Sequence, residues 1–354
     1  MADENFDLIE DVDQQIIKIR TKSLDVSFNE LYDMYKNGEL KISPDYQRLF
    51  RWGEENQSRF IESLLLEMPV PPVFVIETDD GIYELIDGLQ RISSYLHFRG
   101  ELLENGDEHP LVLSGCDIID GLNGFDFINL PKSLQIKLKR SFIRMEVVKK
   151  ESEASLKYHM FKRLNTGGEI LSAQEIRNCT IRLLGDTGIN FIKECSLFPA
   201  FKKTISRLDE ERLARLENQE LVLRFFALKN NLDGYKYPVT DYLTDFLEKM
   251  TEKNSSFDFA EEKSAFEKTF SLIDAIFGDE AFSSVMQNGV LRNNFSVYLF
   301  DGIAVGIANE IKHGINSAYY EKIRENFLLI KSSDPLRSYT TGKMGSIKAR
   351  IQLF

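Results

Sequence analysis

The stretch ELIDGLQRISSYLHF, residues 84–98, combines residue types that suit phosphate chemistry. Its first half is apolar, Asp87 and Gly88 form a turn signal, and a helical pattern begins at Leu89. Arg91 falls in the first helical turn, where the helix dipole already places about half a positive charge. A cation is disfavoured there unless an anion lies nearby, and the free N–H groups of a helix start bind phosphate. The pattern therefore predicts a phosphate site.

Two structural interpretations compete with this one. Asp87 and Gln90 have the D-x-x-Q spacing of a capping box, in which Asp87 would be the N-cap residue. Arg91 would then simply pair with an acidic side chain. In the functional interpretation, Asp87 holds Mg²⁺ or orients a water molecule, and Gln90 positions that water.

Two other segments carry candidate ligand-binding residues. In PDYQRLFRW, residues 44–52, Gln47 and Arg48 would reach a phosphate or a base, with an aromatic side chain nearby for stacking. The alternative is a surface strand whose arginines cover core aromatics. In FKRLNTGGEILSAQEIRN, residues 161–178, Arg163 and Asn165 would border a ligand site. The alternative there is an ordinary glycine-rich connection between helices.

The elements around these motifs change character along the chain. Strand-like runs (PVFVIET, IYELID, FIRMEVV) and short helices alternate in the front part, with helix starts at Ser27 and Ser172 marked by capping-box spacing. Residues 101–130 are rich in turn signals and predict an irregular excursion. The back part is nearly all helical in pattern, with candidate helices at 209–229, 238–252, 258–277, 296–312, 316–331 and 335–350. We therefore expect an α+β domain followed by an all-α domain.

Composition excludes several classes of protein. The chain has 354 residues, a net charge of −12 and three cysteines without a CxxC pair. The charge argues against a general nucleic-acid coat, and the cysteine spacing favours buried free thiols over a zinc site. No apolar run approaches the ~20 residues that span a bilayer. Because the N-terminus is acidic rather than signal-like, we expect a cytoplasmic protein without a membrane partner.

The charge is uneven, however. Residues 131–163 contain ten basic and three acidic residues, which is the composition of a polyanion-binding patch. The alternative is a solvated basic face. The candidate DNA contacts in this strip are Lys137, Lys139, Arg140 and Arg144.

Together the three motifs resemble the N-terminal domain of GmrSD-type modification-dependent restriction enzymes, the DGQQR family. That family has an I-x-P-x-YQR…W segment, a P-x-P-x strand entry, DGQQR at a helix start and an F-x-RLN-x-G-x-x-L-x-x-x-E-x-RN segment. The chain has ISPDYQRLFRW, MPVPPVF, IDGLQR and FKRLNTGGEILSAQEIRN in the same order. The resemblance covers residues 25–182 and implies a ParB/sulfiredoxin-like fold. Residues 1–24 would then be an acidic lead-in, and residues 183–354 a helical domain.

The resemblance implies nucleotide binding, NTP hydrolysis in some members, and a role in defence against foreign or modified DNA. Carried over residue by residue, the catalytic candidates are Asp87, Gln90 and Arg91, with Asp87 also the candidate Mg²⁺ ligand. The nucleotide-binding candidates are Tyr46, Gln47, Arg48, Gly88, Arg163 and Asn165. One position departs from the family, because Leu89 stands where DGQQR has its first Gln. Leucine cannot bond a phosphate or a water, so hydrolysis is weakened if that Gln takes part and unaffected if the position only packs the helix.

Three functions remain open at this stage. The first is a Mg²⁺-dependent NTPase of a restriction or anti-phage system. The second is a sensor of nucleotide or modified DNA that regulates a separately encoded nuclease without turnover. The third is a protein that binds or nicks DNA directly. The sequence contains no Walker A pattern and no recognisable HNH nuclease pattern, and a homodimer is the prior expectation for assembly.

Overall fold

The computed structural model describes Val12 and residues 20–42, 50–78, 81–101, 109–152, 160, 163–164, 172–252, 254–286, 290–311 and 317–354. The chain divides into two compact units, residues 1–170 and residues 171–354. Each unit is described separately below.

The first unit contains a mixed five-stranded sheet among its described residues. The strands are β1 (Thr21–Ser27), β2 (Leu40–Lys41), β3 (Val73–Glu77), β4 (Tyr83–Asp87) and β5 (Phe142–Val148). Their order in the sheet is β1-β5-β3-β4-β2. The pairs β1–β5 and β3–β4 are antiparallel, and the pairs β5–β3 and β4–β2 are parallel. The apolar, β-branched runs of β3 and β5 occupy interior positions of this sheet, as such runs do.

Four described helices accompany the sheet. They are α1 (Phe28–Lys36), α2 (Glu54–Leu65), α3 (Leu89–Phe98) and α4 (Lys132–Arg140). Phe28 of α1 is fully buried, and its ring lies 4.8 Å from that of Tyr95 and 6.1 Å from that of Phe60. These contacts bring α1, α2 and α3 to one apolar core, which fixes where α3 begins relative to the strands.

Several local predictions for this unit are confirmed. The Ser27 hydroxyl accepts from the Glu30 N–H at the start of α1, and the strands and helices expected around residues 54–98 and 132–148 are present. The described residues 109–131 are irregular apart from one short turn of 3₁₀ helix. Strand β1 was not predicted. It begins at Thr21, within the segment expected to be a lead-in, and pairs with the whole of β5.

The described residues of the second unit are helical or irregular, apart from one isolated bridge between Val285 and Leu291. The helices are α5 (Ala173–Thr180), α6 (Thr187–Ser196), α7 (Pro199–Thr204), α8 (Glu210–Ala214), α9 (Glu217–Asn231), α10 (Val239–Thr251), α11 (Phe259–Phe277), α12 (Val297–Glu310), α13 (Tyr320–Ser332), α14 (Asp334–Ser338) and α15 (Met344–Leu353). An α+β unit thus precedes a helical one, as predicted. In the part of the chain that is described, no helix is long and apolar enough to cross a membrane.

Two helix predictions in this unit are wrong. The pattern at 209–229 is two helices, because Leu216 adopts a left-handed conformation with φ 60° that ends α8 and begins α9. The pattern at 335–350 is also divided, since residues 339–343 form a non-helical connection between α14 and α15. Apolar spacing continued across both interruptions and so concealed them.

The core of the second unit is largely aromatic. The rings of Phe225, Phe226, Phe266 and Phe270 are fully buried and lie 4.5–5.6 Å apart in the pairs that touch. Helix α12 is buried along most of its length and contains the carboxylate of Asp301, which is fully buried. These helices form a packed scaffold, and the candidate chemistry identified from sequence lies in the first unit.

Candidate functional site

The connection from β4 to α3 contains the DGLQR motif. Phe74 of β3 lies opposite Asp87, but the next residue, Val75, lies opposite Leu85, so Ile86 is an extra residue in β4. This is a β-bulge, a feature that often lies beside active sites because it redirects the next side chain. Asp87 is therefore the last residue of a bulged strand that leads directly into a helix.

Gly88 is required at this turn by both conformation and space. Its φ is +102°, a region that side-chain-bearing residues rarely adopt. A Cβ atom there would lie 2.3 Å from Cγ1 of Val73 and 3.3 Å from Nη2 of Arg91. The glycine lets β3 and the helix start approach each other closely. It was predicted as a site residue, and the structure gives it this steric role.

The capping-box interpretation of Asp87 and Gln90 is wrong. The N-cap of α3 is Gly88, no side chain caps the helix, and Gln90 is its second residue. The first intrahelical bond runs from the Ile92 N–H to the Gly88 carbonyl at 3.0 Å. The N–H groups of the three preceding residues consequently have no carbonyl within the helix to bond, which is the general property that lets helix starts bind anions.

Arg91 lies beside this helix start and is held in place. Its Nη2 donates to Oδ2 of Asp87 at 3.0 Å and to the Pro72 carbonyl at 3.1 Å. Its Nε is buried and has no acceptor among the described residues. The side chain of Arg91 is 18% exposed and that of Asp87 is 29% exposed. Arg91 therefore pairs with an acid, as one interpretation proposed, and retains an unused N–H near the uncapped helix start.

Gln90 forms hydrogen bonds to a neighbouring segment, whereas Leu89 is buried. Oε1 of Gln90 accepts from the backbone N–H groups of Arg51 and Trp52, at 3.0 and 3.1 Å. Leu89 is buried, with 4% of its surface exposed. The position at which the chain departs from DGQQR is thus an interior packing position. This favours the interpretation in which the departure leaves the site chemistry intact.

The structure allows only part of the remaining site prediction to be placed. Tyr46, Gln47, Arg48 and Asn165 lie outside the described residues, and Arg163 is exposed. Sequence reasoning overlooked the carbonyl of Pro72, which holds Arg91. A signal was present, since the MPVPP entry to β3 was one of the motifs shared with the DGQQR family.

The end of the third motif has a structural role in the second unit. Ser172 and Glu175 form the predicted capping box at the start of α5. Arg177 is 1% exposed, and its guanidinium bonds Oγ1 of Thr244 at 3.1 Å and Oε2 of Glu220 at 3.0 Å. Buried polar groups in folded proteins are hydrogen-bonded, and this guanidinium has its partners within the helical unit. The Glu-x-Arg-Asn part of the motif therefore stabilises helices.

The four candidate DNA contacts are exposed or near the surface, and most have local partners. Lys137 pairs with Glu67 at 3.0 Å, and Arg144 pairs with Asp25 at 3.1 Å. Nζ of Lys139 lies 5.9 Å from the ring centre of Phe127. Arg140 is exposed at the end of α4. Pairing with acids lowers the net positive charge that this face offers to a polyanion.

In the part of the chain that the structure describes, neither the thiols nor the metal-ligating side chains indicate a second centre. Burial raises the pKa of Cys116 to about 11 and that of Cys195 to about 12, and both are free thiols, as expected. Such thiols are poor nucleophiles because the thiolate is the reactive form. Among the described residues, no three His, Cys, Asp or Glu side chains group as metal ligands would.

The described part of the first unit is therefore an α+β domain with a bulged strand, an obligatory glycine, an uncapped helix start and a neighbouring arginine–carboxylate pair. Proteins with this arrangement at a strand–helix turn are suited to bind anions. Residues 28–182 match the family model of the GmrSD restriction endonuclease N-terminal domain. This match supports a role in a restriction or defence system. No curated protein and no solved structure matches the chain.

Proposed function

We propose that the first unit binds a nucleotide with its phosphates at the start of α3 and hydrolyses a nucleoside triphosphate. The observation that carries this proposal is the helix start at Gly88, which has backbone N–H groups, no side-chain cap and, in its first turn, an arginine whose Nε has no acceptor among the described residues. A phosphate would accept from both, which explains an arginine at the positive end of a helix. A ParB-like fold for residues 25–182 is part of the same proposal, supported by the family match and the α+β sheet.

The residues divide the work as follows. Arg91, together with Arg48, neutralises phosphate charge, and the burial of Leu89 supports a packing role for that position. Asp87 orients water or ligates Mg²⁺. As a single carboxylate it fits Mg²⁺, which commonly takes one or two protein carboxylates and fills its other positions with phosphate oxygens and water. Bound Mg²⁺ would neutralise charge on the phosphates.

Two alternatives follow from the same site and its surroundings. A sensor would bind nucleotide or modified DNA at α3 without turnover and regulate a separately encoded nuclease. Direct DNA binding would instead use Lys139 and Arg140, because Lys137 and Arg144 are engaged by acids. A steep fall in DNA affinity with salt would favour this second alternative. We rank a nucleotide site at α3 above direct DNA binding because a helix start beside Arg91 suits a phosphate, and a turnover measurement distinguishes hydrolysis from sensing.

The deciding experiment is phosphate release from ATP, GTP, CTP and UTP with Mg²⁺. Asp87→Ala and Arg91→Ala are compared with Arg59→Ala as a matched control. Arg59 also lies four residues after a carboxylate, Glu55, and also donates to a backbone carbonyl, but its partners are Gly115 and Asp117 rather than residues of the α3 turn. Turnover that is lost in the first two variants and kept in the control supports the NTPase. Removing one charge-stabilising group typically costs about 10²–10³ in rate.

The other outcomes separate the alternatives. If no triphosphate is hydrolysed but nucleotide quenches Trp52 fluorescence saturably, and Arg91→Ala abolishes the quenching, the sensor is supported. Trp52 suits this measurement because it is the only tryptophan and its backbone N–H donates to Gln90 at the start of α3. The absence of both signals at millimolar nucleotide would refute a phosphate site at this turn.

A further inference from the structure

Gln90 ties two distant parts of the first unit together. Its Oε1 accepts from the N–H of Arg51 at 3.0 Å and from the N–H of Trp52 at 3.1 Å, across 39 and 38 positions of sequence. An amide oxygen has two lone pairs, and both are occupied by these backbone donors. That oxygen is therefore already committed and has no remaining position for a water molecule.

A second side chain holds the other face of the same segment. Nε2 of Gln57 donates to the Trp52 carbonyl at 2.7 Å, and Oε1 of Gln57 lies 2.9 Å from Nδ1 of His97. His97 is buried and belongs to α3, as Gln90 does. The backbone of Trp52 is thus bonded on its N–H and on its carbonyl, and both connections lead back to α3. The indole also packs edge-on against Phe60, with ring centres 6.0 Å apart.

We propose that Gln90 is a positioning residue that fixes the Arg51–Trp52 backbone against the start of α3. This inference rests on the proposed nucleotide site and revises the role of Gln90 within it, from orienting a water to holding a neighbouring segment. The backbone of Arg51 and Trp52, whose side chains are a cation and a ring of the kinds that bind phosphate and base, is thereby kept against the start of α3. Gln90 acts on the ligand through these residues.

A pair of substitutions distinguishes the two roles. Gln90→Glu keeps carboxylate oxygens that accept from both backbone N–H groups, whereas Gln90→Leu removes every acceptor. A positioning role needs only the oxygens, so the glutamate variant keeps the Arg51–Trp52 backbone in place and the leucine variant does not. A water-orienting role that uses the amide N–H fails in both. Gln135→Leu is the matched control, because Gln135 ties a different segment by donating to the carbonyls of Ile128 and Leu130.

Two readouts are taken on the full chain. The first, without nucleotide, is acrylamide quenching of Trp52, which reports whether the segment stays against α3. The second is ATP affinity, measured by calorimetry. We expect Gln90→Leu to raise the quenching constant at least about twofold and to weaken ATP binding about tenfold, the effect of losing two hydrogen bonds. Gln90→Glu and Gln135→Leu should leave the quenching constant within about twofold of wild type.

The quenching and ATP-affinity measurements distinguish failure of the positioning role from failure of the nucleotide site. Unchanged quenching in Gln90→Leu would overturn the positioning role, whatever happens to ATP. Equal losses of ATP affinity or turnover in the Glu and Leu variants, with Trp52 quenching as in wild type, would also overturn it and return Gln90 to direct catalysis. A third outcome is that Trp52 quenching changes as expected but the wild-type protein does not bind ATP. This outcome would support the bond between Gln90 and the Trp52 backbone and would refute the nucleotide site.

Discussion

Replacing Gly88 with alanine tests whether the turn before α3 has the geometry on which the site depends. A Gly→Ala change at a compatible position stabilises a protein by about 0.4–1 kcal/mol, because it restricts the unfolded chain. We expect the opposite sign here. The residue has φ +102°, and the new Cβ would lie 2.3 Å from Cγ1 of Val73.

The magnitude has two parts. A left-handed conformation costs a residue with a Cβ about 1–2 kcal/mol, and forcing extra volume into a packed interior costs about 1–3 kcal/mol. Gly88→Ala should therefore lower the free energy of unfolding by about 2–5 kcal/mol. Urea denaturation followed by Trp52 fluorescence measures it, since this single tryptophan lies in the first unit.

A double-mutant cycle separates the two parts. Val73→Ala removes the atom that the new Cβ meets, so in that background Gly88→Ala should lose the steric part and keep the conformational part. Gly121→Ala is the control, because a Cβ there meets no atom within 4 Å and no positive φ is involved. A cost below about 1 kcal/mol for Gly88→Ala, or strict additivity with Val73→Ala, would refute the described turn.

Three further predictions concern buried charges. Asp301→Ala leaves the guanidinium of Arg224, which bonds Asp301 at 2.6 and 2.8 Å, without its buried carboxylate. In urea denaturation this substitution should lower the free energy of unfolding by about 3–5 kcal/mol. A loss under about 1 kcal/mol would contradict the prediction. Burial lowers the pKa of Lys331 to about 7, so between pH 7 and 10.5 the unfolded chain binds more protons and stability rises with pH. Thermal unfolding at several pH values should show this rise reduced in Lys331→Met, and an identical pH slope would refute it. Glu62 is 1% exposed and accepts from three consecutive backbone N–H groups at 2.6–3.3 Å. Glu62→Ala should therefore lower the free energy of unfolding by at least about 2 kcal/mol, and Glu62→Gln by less. Equal urea midpoints for the two variants would contradict this prediction.

Local signals predicted much of the fold because they act within a few residues. The Ser27 cap, the Ser172–Glu175 capping box and the strand-to-helix turn at Gly88 were all readable from spacing. Strand β1 was not, because its pairing with β5 joins Thr21 to Val148, far along the chain. Its half-exposed residues also resemble those of a surface segment. Long-range pairing is decided by tertiary contacts that spacing does not encode.

The sequence predicted that four candidate residues share one turn, but it predicted their bonding partners less well. Asp87, Gly88, Gln90 and Arg91 do lie together at one turn. A capping box was a reasonable interpretation of Asp87 and Gln90 because their spacing matches, yet the bulge at Ile86 and the positive φ of Gly88 shift the cap by one residue. Neither the bulge nor the bond from Gln90 to the Trp52 backbone leaves a periodic trace in sequence.

The pairing of Arg91 with Asp87 determines how phosphate binding should respond to Mg²⁺. A phosphate that approaches the helix start competes with the Asp87 carboxylate for Arg91, and a pair exposed to this extent contributes up to about 1 kcal/mol. Asp87→Asn should therefore tighten ATP binding in EDTA by up to about fivefold. With Mg²⁺ the effect reverses if Asp87 ligates the metal, because asparagine is a neutral and weaker ligand.

The two roles open to Asp87 thus give different results in one titration. A metal ligand makes Asp87→Asn bind ATP more tightly than wild type in EDTA and more weakly in Mg²⁺. If Asp87 only orients water, Asp87→Asn binds ATP more tightly than wild type in both EDTA and Mg²⁺, and turnover falls. Weaker binding in EDTA would contradict the competition itself. It would mean that the Asp87 carboxylate, by holding Arg91 through Nη2, orients the guanidinium for the incoming phosphate.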